Sequence, residues 1–584
     1  MKETILARAP SSVLPSDATT KQTLDRKKVQ KRISQMFEYR ENFVKRWKEI
    51  RDHQLPYLGE FDDTQDLINP ARRRDLNIYN DVAWEANQIF AAGVMSGLTP
   101  PSRQWFRFSF SNKQLSEHSE AATILDERME ITIDVLAKSN FYNAIHNVYM
   151  ELAFGQCPLG IFPSEKGVTF IQFPIGTYAI DVGADGRVNT FARKYQMTAI
   201  QLREQFGEAN LPKNVLDVIK NDSAVYSTMF NVYWLVEPNP NVAEKEGRQY
   251  MPFRSIYWVD GSQDDEWLYI GGCKEFPVPV ARYQVNGLQP YGKGAGWYVE
   301  GDSKVLGLYE KDSAALAELI IKPPMQSSED VLQKGVNLIP GGLTITNGQG
   351  VVSPLFQVRA EAITVIQNKI EKIERSIKRS YNSDLFLMLD QLDKGQMTAE
   401  EVIKRTQEKL QQLGPVVERL QYEFLSPIIE RVYNILDRAQ IFPPIPPDLE
   451  KVLEGGEVKI EYISPLAQAQ KMSGLVNIEQ AVAFIAQLAQ MYPEVKAKLD
   501  PLKTVDSYFE KLGAPATIKK TNEEVEMMIK QQQEAEQKQA QIQQAALIAQ
   551  SAAPAAQAAR NLTEAARDGN PALQEWLGMG VGNV

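Results

Sequence analysis

The 584-residue chain holds only two cysteines, Cys157 and Cys273, far apart and without a CxxC partner. That excludes a disulfide framework or a structural zinc site and fits a reducing compartment or indifference to redox. Histidine is equally scarce: His53, His118 and His146 lie in unrelated segments with no HExxH or other metal spacing, which argues against metal-dependent hydrolysis. No apolar run reaches the ~18 residues needed to span a bilayer, and Ala91 to Leu98 is the best candidate. The first thirty residues carry Lys2, Arg8, Pro10 and Pro15 but no apolar signal core, so the expectation is a soluble chain without a membrane partner. A GxSxG elbow is missing as well. Cys157 as nucleophile with His146 as base has little to recommend it, because the flanking Gly155 and Pro158 read as a turn into a strand.

What is present is ordinary globular composition, 43% hydrophobic and 24% charged, with 64 Lys+Arg against 74 Asp+Glu and a net charge of -10. At roughly 100 to 200 residues per domain, this length suggests three or four domains. Mild acidity argues weakly against wrapping nucleic acid, which wants a basic surface. Local basic faces nevertheless exist. Lys21 to Arg51 contains eleven Lys/Arg and four Asp/Glu, while Val29, Ile33, Phe37, Val44, Trp47 and Ile50 recur at helical spacing. This predicts an amphipathic helix with a basic outer face, either a solvated surface or a phosphate- or partner-binding one. Further helices are predicted over Asp81 to Met95 and Ser119 to Ser139.

Between Leu159 and Asn286 the texture changes to short β-rich runs: Val168 to Phe173, Tyr178 to Val182, Val188 to Gln196, Phe230 to Val236, Ser255 to Val259, Glu266 to Ile270 and Val278 to Val285. One helix, Thr198 to Phe206, carries a capping box of Thr198 and Gln201 and ends at Gly207. The economical reading is an α+β region with a mostly antiparallel sheet in a mainly helical chain. From Asp302 the pattern becomes helix, insert, helix: Asp302 to Ile321, then Lys322 to Pro354, then Gln357 to Tyr381. The second helix sets Ile363, Ile366, Ile370, Ile373 and Ile377 on one side and six basic residues against three acidic ones around it. A loop over Asn382 to Met397 leads into a long helical pattern, Thr398 to Gln440, with bends expected at Gly414-Pro415 and Pro427. Shorter helices are expected around Ile478 to Met491 and Val505 to Leu512. Residues 531–550 hold nine Gln and five Ala, which on composition favours disorder over a polar helix.

Gly287 to Gly294 matches the glycine and lysine positions of a P-loop, but Gly294 stands where a magnesium-binding Ser or Thr is required. Pro290 also removes an N–H from a loop meant to aim N–H groups at phosphates. A glycine-rich bend is the better reading. Acidic clusters at Asp62-Asp63 with Asp66, and at Asp264-Asp265-Glu266, read as solvated loops rather than cation sites. With no metal, cofactor or catalytic constellation to point to, a chain of this size suggests structure and assembly rather than an enzyme.

Asn77-Ile-Tyr-Asn-Asp81 leading into Ala91-Ala-Gly93-Val-Met-Ser96-Gly97-Leu98-Thr99-Pro100-Pro101-Ser102-Arg103-Gln104-Trp105-Phe106 resembles the N-terminal signature of head-to-tail connecting (portal) proteins of short-tailed phages. Pro290-Tyr291-Gly292-Lys293-Gly294 is similar to the segment before their stem. Met397 to Val402, Leu413 to Val416 and Pro427 resemble their long helix, and the Ile441-Phe442-Pro443-Pro444 exit and the Gln/Ala tail also fit. The resemblance spans roughly residues 30 to 560.

It implies a ring, of twelve copies in this family, at one capsid vertex of the virion, assembled in the host cytoplasm. Double-stranded DNA would enter through it, driven by the large subunit of a terminase, and leave through it at infection. Tail adaptor proteins and a major capsid or scaffolding protein would be further partners. The implied layout is a wing over 1–301, stem helices over 302–321 and 357–381, a clip over 322–356, a channel loop over 382–397, a long kinked helix and returning wing helices over 398–520, and a helical crown over 521–584. The crown assignment reverses the preference for a disordered tail. On this reading Lys378, Arg379, Asn382 and Lys394 are candidates to face DNA, and Gln326, Lys334, Asn337, Asn347 and Gln349 are candidates for terminase or adaptor contact. Each neutralised phosphate adds drag, so a conduit wants a mostly repulsive wall with few basic rings. The alternatives are a capsid or tail-tube subunit, and an ATP-driven packaging motor that would have to use the Gly287 to Gly294 loop.

Overall fold

The computed structural model describes residues 24–61, 78–110, 119–164, 167–221, 225–240, 250–263, 266–326, 353–354, 361–392, 413–444, 458–464 and 481–488, with scattered positions between 242 and 564. The chain divides into a large unit, 1–111 with 124–513, and a small one, 112–123 with 514–584. In the small unit, every described position from 525 onward is helical.

Helix α1, Arg26–His53, starts at Asp25, whose carboxylate accepts from the Lys28 N–H. Its stripe of Val29, Ile33, Met36, Val44, Trp47 and Ile50 is buried, and the predicted basic residues Lys27, Lys28, Lys31 and Arg32 are exposed. Four antiparallel pairings join β4 (Tyr178–Val182), β5 (Val188–Thr198), β6 (Met229–Pro238), β7 (Phe253–Val259) and β8 (Tyr269–Cys273) into a meander in sequence order. Small residues Ala179 and Ala192 let α1 sit close: Val29, Ile33 and Met36 pack with them and with Leu235, Ile256 and Trp258. Phe173, Phe191, Trp234 and Tyr257 form a chain of ring contacts with successive centroids 5.2 to 5.3 Å apart. A three-stranded sheet has β2 (Gln156–Ser164) between β3 (Gly167–Gln172) and β9 (Val280–Arg282).

Helices α2 (Val82–Leu98), α3 (Ser119–Lys138) and α4 (Phe141–Glu151) follow α1 among the described residues, with β1 (Phe106–Phe110) between α2 and α3. The expected α5, Ala199–Phe206, has both capping-box hydrogen bonds between Thr198 and Gln201. Among the described residues the sequence patterns miss α4 and the two-turn α6, Lys213–Lys220, as well as the helices Ala295–Tyr298 and Ser383–Leu392. Edges also shift, since the strand expected at Glu266 to Ile270 runs Tyr269–Cys273.

Strand β1 pairs in antiparallel register with β12, Val458–Tyr462, and the side chains of the directly opposed Arg107 and Glu461 form an ion pair at 2.6 Å. No local pattern calls for that pairing, because its partners are some 350 residues apart. The long helical pattern is helical throughout 413–438, but residues Leu420–Leu425 are π-helical, followed by Ser426–Arg438. The cause is the expected proline: Pro427 has no N–H for the Glu423 carbonyl, and the Ser426 N–H reaches back five residues to Gln421 instead. The widened turn places the Glu423 carboxylate 2.7 Å from the buried Arg282 guanidinium. Residues 398–412 and most of the helices expected around 478–491 and 505–512 lie outside the described residues, with 481–488 helical.

The expected loop over Asn382 to Met397 requires correction, because Ser383–Leu392 is a helix. Asn382 reverses the chain at φ 54°. Ser383 then caps the preceding helix by donating to the Lys378 carbonyl at 2.9 Å, and Leu385 and Phe386 are buried. Burial of Leu385 and Phe386 favours a helix here over a loop.

Candidate functional site

Helices α8 (Glu300–Ile321) and α9 (Glu361–Ser380) flank the insert, after a one-turn helix α7 at Ala295–Tyr298. Glu300 and Asp302 lie at the positive end of α8, and Lys378 and Arg379 at the negative end of α9, each favourable with the helix dipole. The helices run antiparallel. Leu306 and Ile377 line one cavity, Lys369 lies over the Tyr309 ring at 5.5 Å, and beyond the far ends Met325–Gln326 (β10) pairs with Ser353–Pro354 (β11).

Three groups hold the base of this pair. Asn80 Nδ2 donates at 2.8 Å both to Glu310 of α8 and to Glu374 of α9. Arg46, Glu49, Glu300 and Lys304 form an ion-pair network between α1 and α8. Burial opposes ionisation of Glu300, but hydrogen bonds involving Glu49, Lys304 and Arg46 outweigh it and bring its carboxyl down to about 2. Lys304 is correspondingly raised, chiefly by its bond to Glu300. A cavity of about 10 Å³ beneath the pair is lined by His53, Asn80, Ser303 and Ile377. Burial first, and then Lys304, lower the basicity of that histidine.

Beyond α9, the buried Tyr381 hydroxyl donates to Gln54 Oε1 at 3.0 Å, and Gln54 Nε2 donates to the Gly296 carbonyl at 3.0 Å. The helix α10, Ser383–Leu392, then sets Phe386 into α2 at Gly93, where a Cβ would lie 2.1 Å from the ring.

The candidate residues separate into distinct environments. Lys378 is part-exposed and 3.9 Å from Glu85 of α2, whereas Arg379 is exposed. Asn382 donates to the Tyr283 hydroxyl at 3.4 Å, so it serves the turn. Gln326 is exposed and donates to Ser353 Oγ at 3.2 Å across the β10–β11 pair. Lys394, Lys334, Asn337, Asn347 and Gln349 lie outside the described residues. The structure thus brings Lys378, Arg379 and Asn382 together at one helix end. The residues that sequence reasoning missed are Asn80, Glu85, Gln54 and Tyr381. Asn80 had a signal, since it belongs to the quoted Asn77 to Asp81 motif, but a polar residue in a short motif does not name its partners.

The glycine-rich loop is structural. The Gly292 N–H donates to Gln156 Oε1 at 2.9 Å and the Lys293 N–H to the Gln284 carbonyl at 2.7 Å, so neither is free for a phosphate. A Cβ at Gly294 would lie 2.1 Å from the Leu152 carbonyl, and one at Gly292 would lie 2.4 Å from that of Gly155. Glycine here permits backbone to pass against backbone. Cys157 is wholly buried, and burial pushes its thiol well above the ordinary range, which suppresses the nucleophilic thiolate. Among the described residues no group of three or more His, Cys, Asp or Glu could hold a metal ion, and no helix is long and apolar enough to cross a membrane. Asp62, Asp63, Asp66, Asp264 and Asp265 lie outside them, while Glu266 accepts from the Gln263 N–H.

The sequence profile for "Bacteriophage head to tail connecting protein" matches residues 26–519. The chain is 32% identical over 528 residues to the portal protein of Salmonella phage epsilon15, covering 89% of this chain and 93% of that one. It is also 32% identical over 530 residues to a probable portal protein of Bordetella phage BPP-1, covering 90% of this chain and 93% of that one. The chain therefore belongs to the family of bacteriophage head to tail connecting proteins.

Proposed function

We propose that this connector subunit forms a closed ring at one capsid vertex, of twelve copies as the family resemblance implies, and that double-stranded DNA passes through the ring. The match over residues 26–519 carries the reading. The helix, insert, helix arrangement from Glu300 to Ser380 supports it by supplying an antiparallel pair with a small β10–β11 base to the insert. In this reading residues 302–321 and 357–381 form the stem, 322–356 the clip and 521–584 the crown. The wing comprises 1–301 and residues returning from 398–520. The segment 382–397 borders the channel, with its first part helical. The clip would meet terminase during packaging and tail adaptors afterwards, and the outer wing would meet capsid or scaffolding protein.

The role is that of a non-catalytic conduit within the virion. The loop that an ATP-driven motor would need spends its amides on Gln156 and Gln284, which is the specific observation against that alternative. Electron microscopy of the purified chain tests the reading. A closed ring with a central hole wide enough for duplex DNA is expected; monomers or open filaments would overturn it. An ATPase assay on the same material is expected to be null.

A further inference from the structure

On α8, Val305, Leu308, Asp312, Ala315 and Leu319 recur at spacings of three and four and are all exposed. On α9, Val365, Asn368, Lys372, Arg375 and Arg379 recur at the same spacings and are likewise exposed. Such a repeat places each set along one face, as in the seam of a coiled coil. The opposite sides of the helices are already used within the subunit, where Ser303 and Leu306 of α8 and Ile370 and Ile377 of α9 are buried. Leu308 and Val365 each remain 55% exposed, an unusual disposition for apolar residues at seam positions.

The two helices differ in charge. Glu300–Ile321 holds five acidic and two basic residues, and Glu361–Ser380 five basic and three acidic ones. We propose that the outward face of α8 in one copy packs on the outward face of α9 in the next, an apolar seam with complementary charge. This rests on the ring reading and adds which faces meet. An isologous contact of α9 with α9 would set Lys372 and Arg375 against themselves. A heterologous contact pairs opposite signs, uses both helices of every copy and can close into a ring.

Heights along the hairpin agree with the pairing. The levels shared by Leu306 with Ile377, Asn80-bridged Glu310 with Glu374, and Met325 with Pro354 place Asp312 near the height of Lys372 and Leu319 near that of Val365. With the ring axis proposed to run along the helices, rotation from one copy to the next preserves height and brings these residues to the same level. Lys311 and Glu371, beside the two stripes, are also opposite in sign. Among the described residues Asp312 and Lys372 have no ion pair within the chain, whereas Arg375 makes exposed contacts to Glu371 of its own helix, donating to the carbonyl at 3.2 Å and pairing with the carboxylate at 3.6 Å.

The test uses the full chain with Asp312→Lys, Lys372→Asp and the double reversal, scored by ring fraction in native mass measurement and by thermal melting of the monomer. Each single reversal is expected to lower ring yield about tenfold or more at matched concentration, with the monomer melt unchanged, and the double to restore it to within about twofold. Leu308→Cys should react with a maleimide in monomers and be protected in rings. If the parent forms rings and the single reversals form them equally well, or the double reversal restores nothing while its monomer stays folded, the seam is overturned and the ring reading stands. If the parent forms no ring, the ring reading itself falls. Protection of Leu308→Cys in the monomer would assign the face to another segment of the same chain and also overturn the seam.

Discussion

The hydroxyl of Tyr381 donates to Gln54 Oε1 at 3.0 Å across 327 positions of sequence, joining the end of α9 to the end of α1 inside the core. Gln54 in turn holds the Gly296 carbonyl, so three segments meet in one polar contact that water does not reach. Tyr381→Phe would keep the ring and strand the Gln54 oxygen. A loss of about 1–3 kcal/mol in denaturant unfolding is expected, with unchanged m-value, since a buried acceptor without a donor costs its desolvation.

Gly93→Val should displace Phe386, because a Cβ already falls 2.1 Å from the ring. A destabilisation of about 1–3 kcal/mol is expected from overpacking. Combining it with Phe386→Ala should cost less than the sum of the two changes, measured as a double-mutant cycle. Strict additivity would show that α10 does not rest on α2 through this pair.

Glu151 is buried and its Oε2 accepts from the Ile175 N–H at 2.8 Å. Burial pushes its carboxyl up to about 8, with the Ile175 N–H and the Gln172 side chain only partly opposing the rise. The folded state therefore holds a proton that the unfolded chain releases near pH 4.5. Its stabilising effect is fully present below that value and is lost as pH rises through about 8. Thermal melts should fall across this window by an amount on the order of a few kcal/mol, and Glu151→Gln should flatten the fall. An equal slope in the variant would assign the pH dependence elsewhere.

Lys394→Glu should alter DNA packaging or retention in particles whose rings remain intact, since in a ring the change repeats in every copy. The lysine lies in the segment proposed to border the channel. Because phosphate contacts weaken with salt, the difference from the parent should shrink as ionic strength rises. Unchanged packaging at low salt in intact rings would remove Lys394 from the DNA path.

The features legible in sequence are those written in local periodicity. The apolar stripe of α1, the Thr198–Gln201 capping box, the meander strands and the pair of helices around the insert each follow from side-chain spacing of 3.6 or 2.0 and from hydrogen bonds within a few residues. The chemistry the glycine-rich loop lacks was legible too, since no fold can supply a hydroxyl that Gly294 does not have. Tertiary structure alone decided the rest. It paired β1 with β12, turned the expected loop after Asn382 into a helix by giving Phe386 a place at Gly93, and spent Asn80 on carboxylates from two helices. Those outcomes depend on groups hundreds of residues apart, and a linear pattern records what a residue can do without recording which partner it meets.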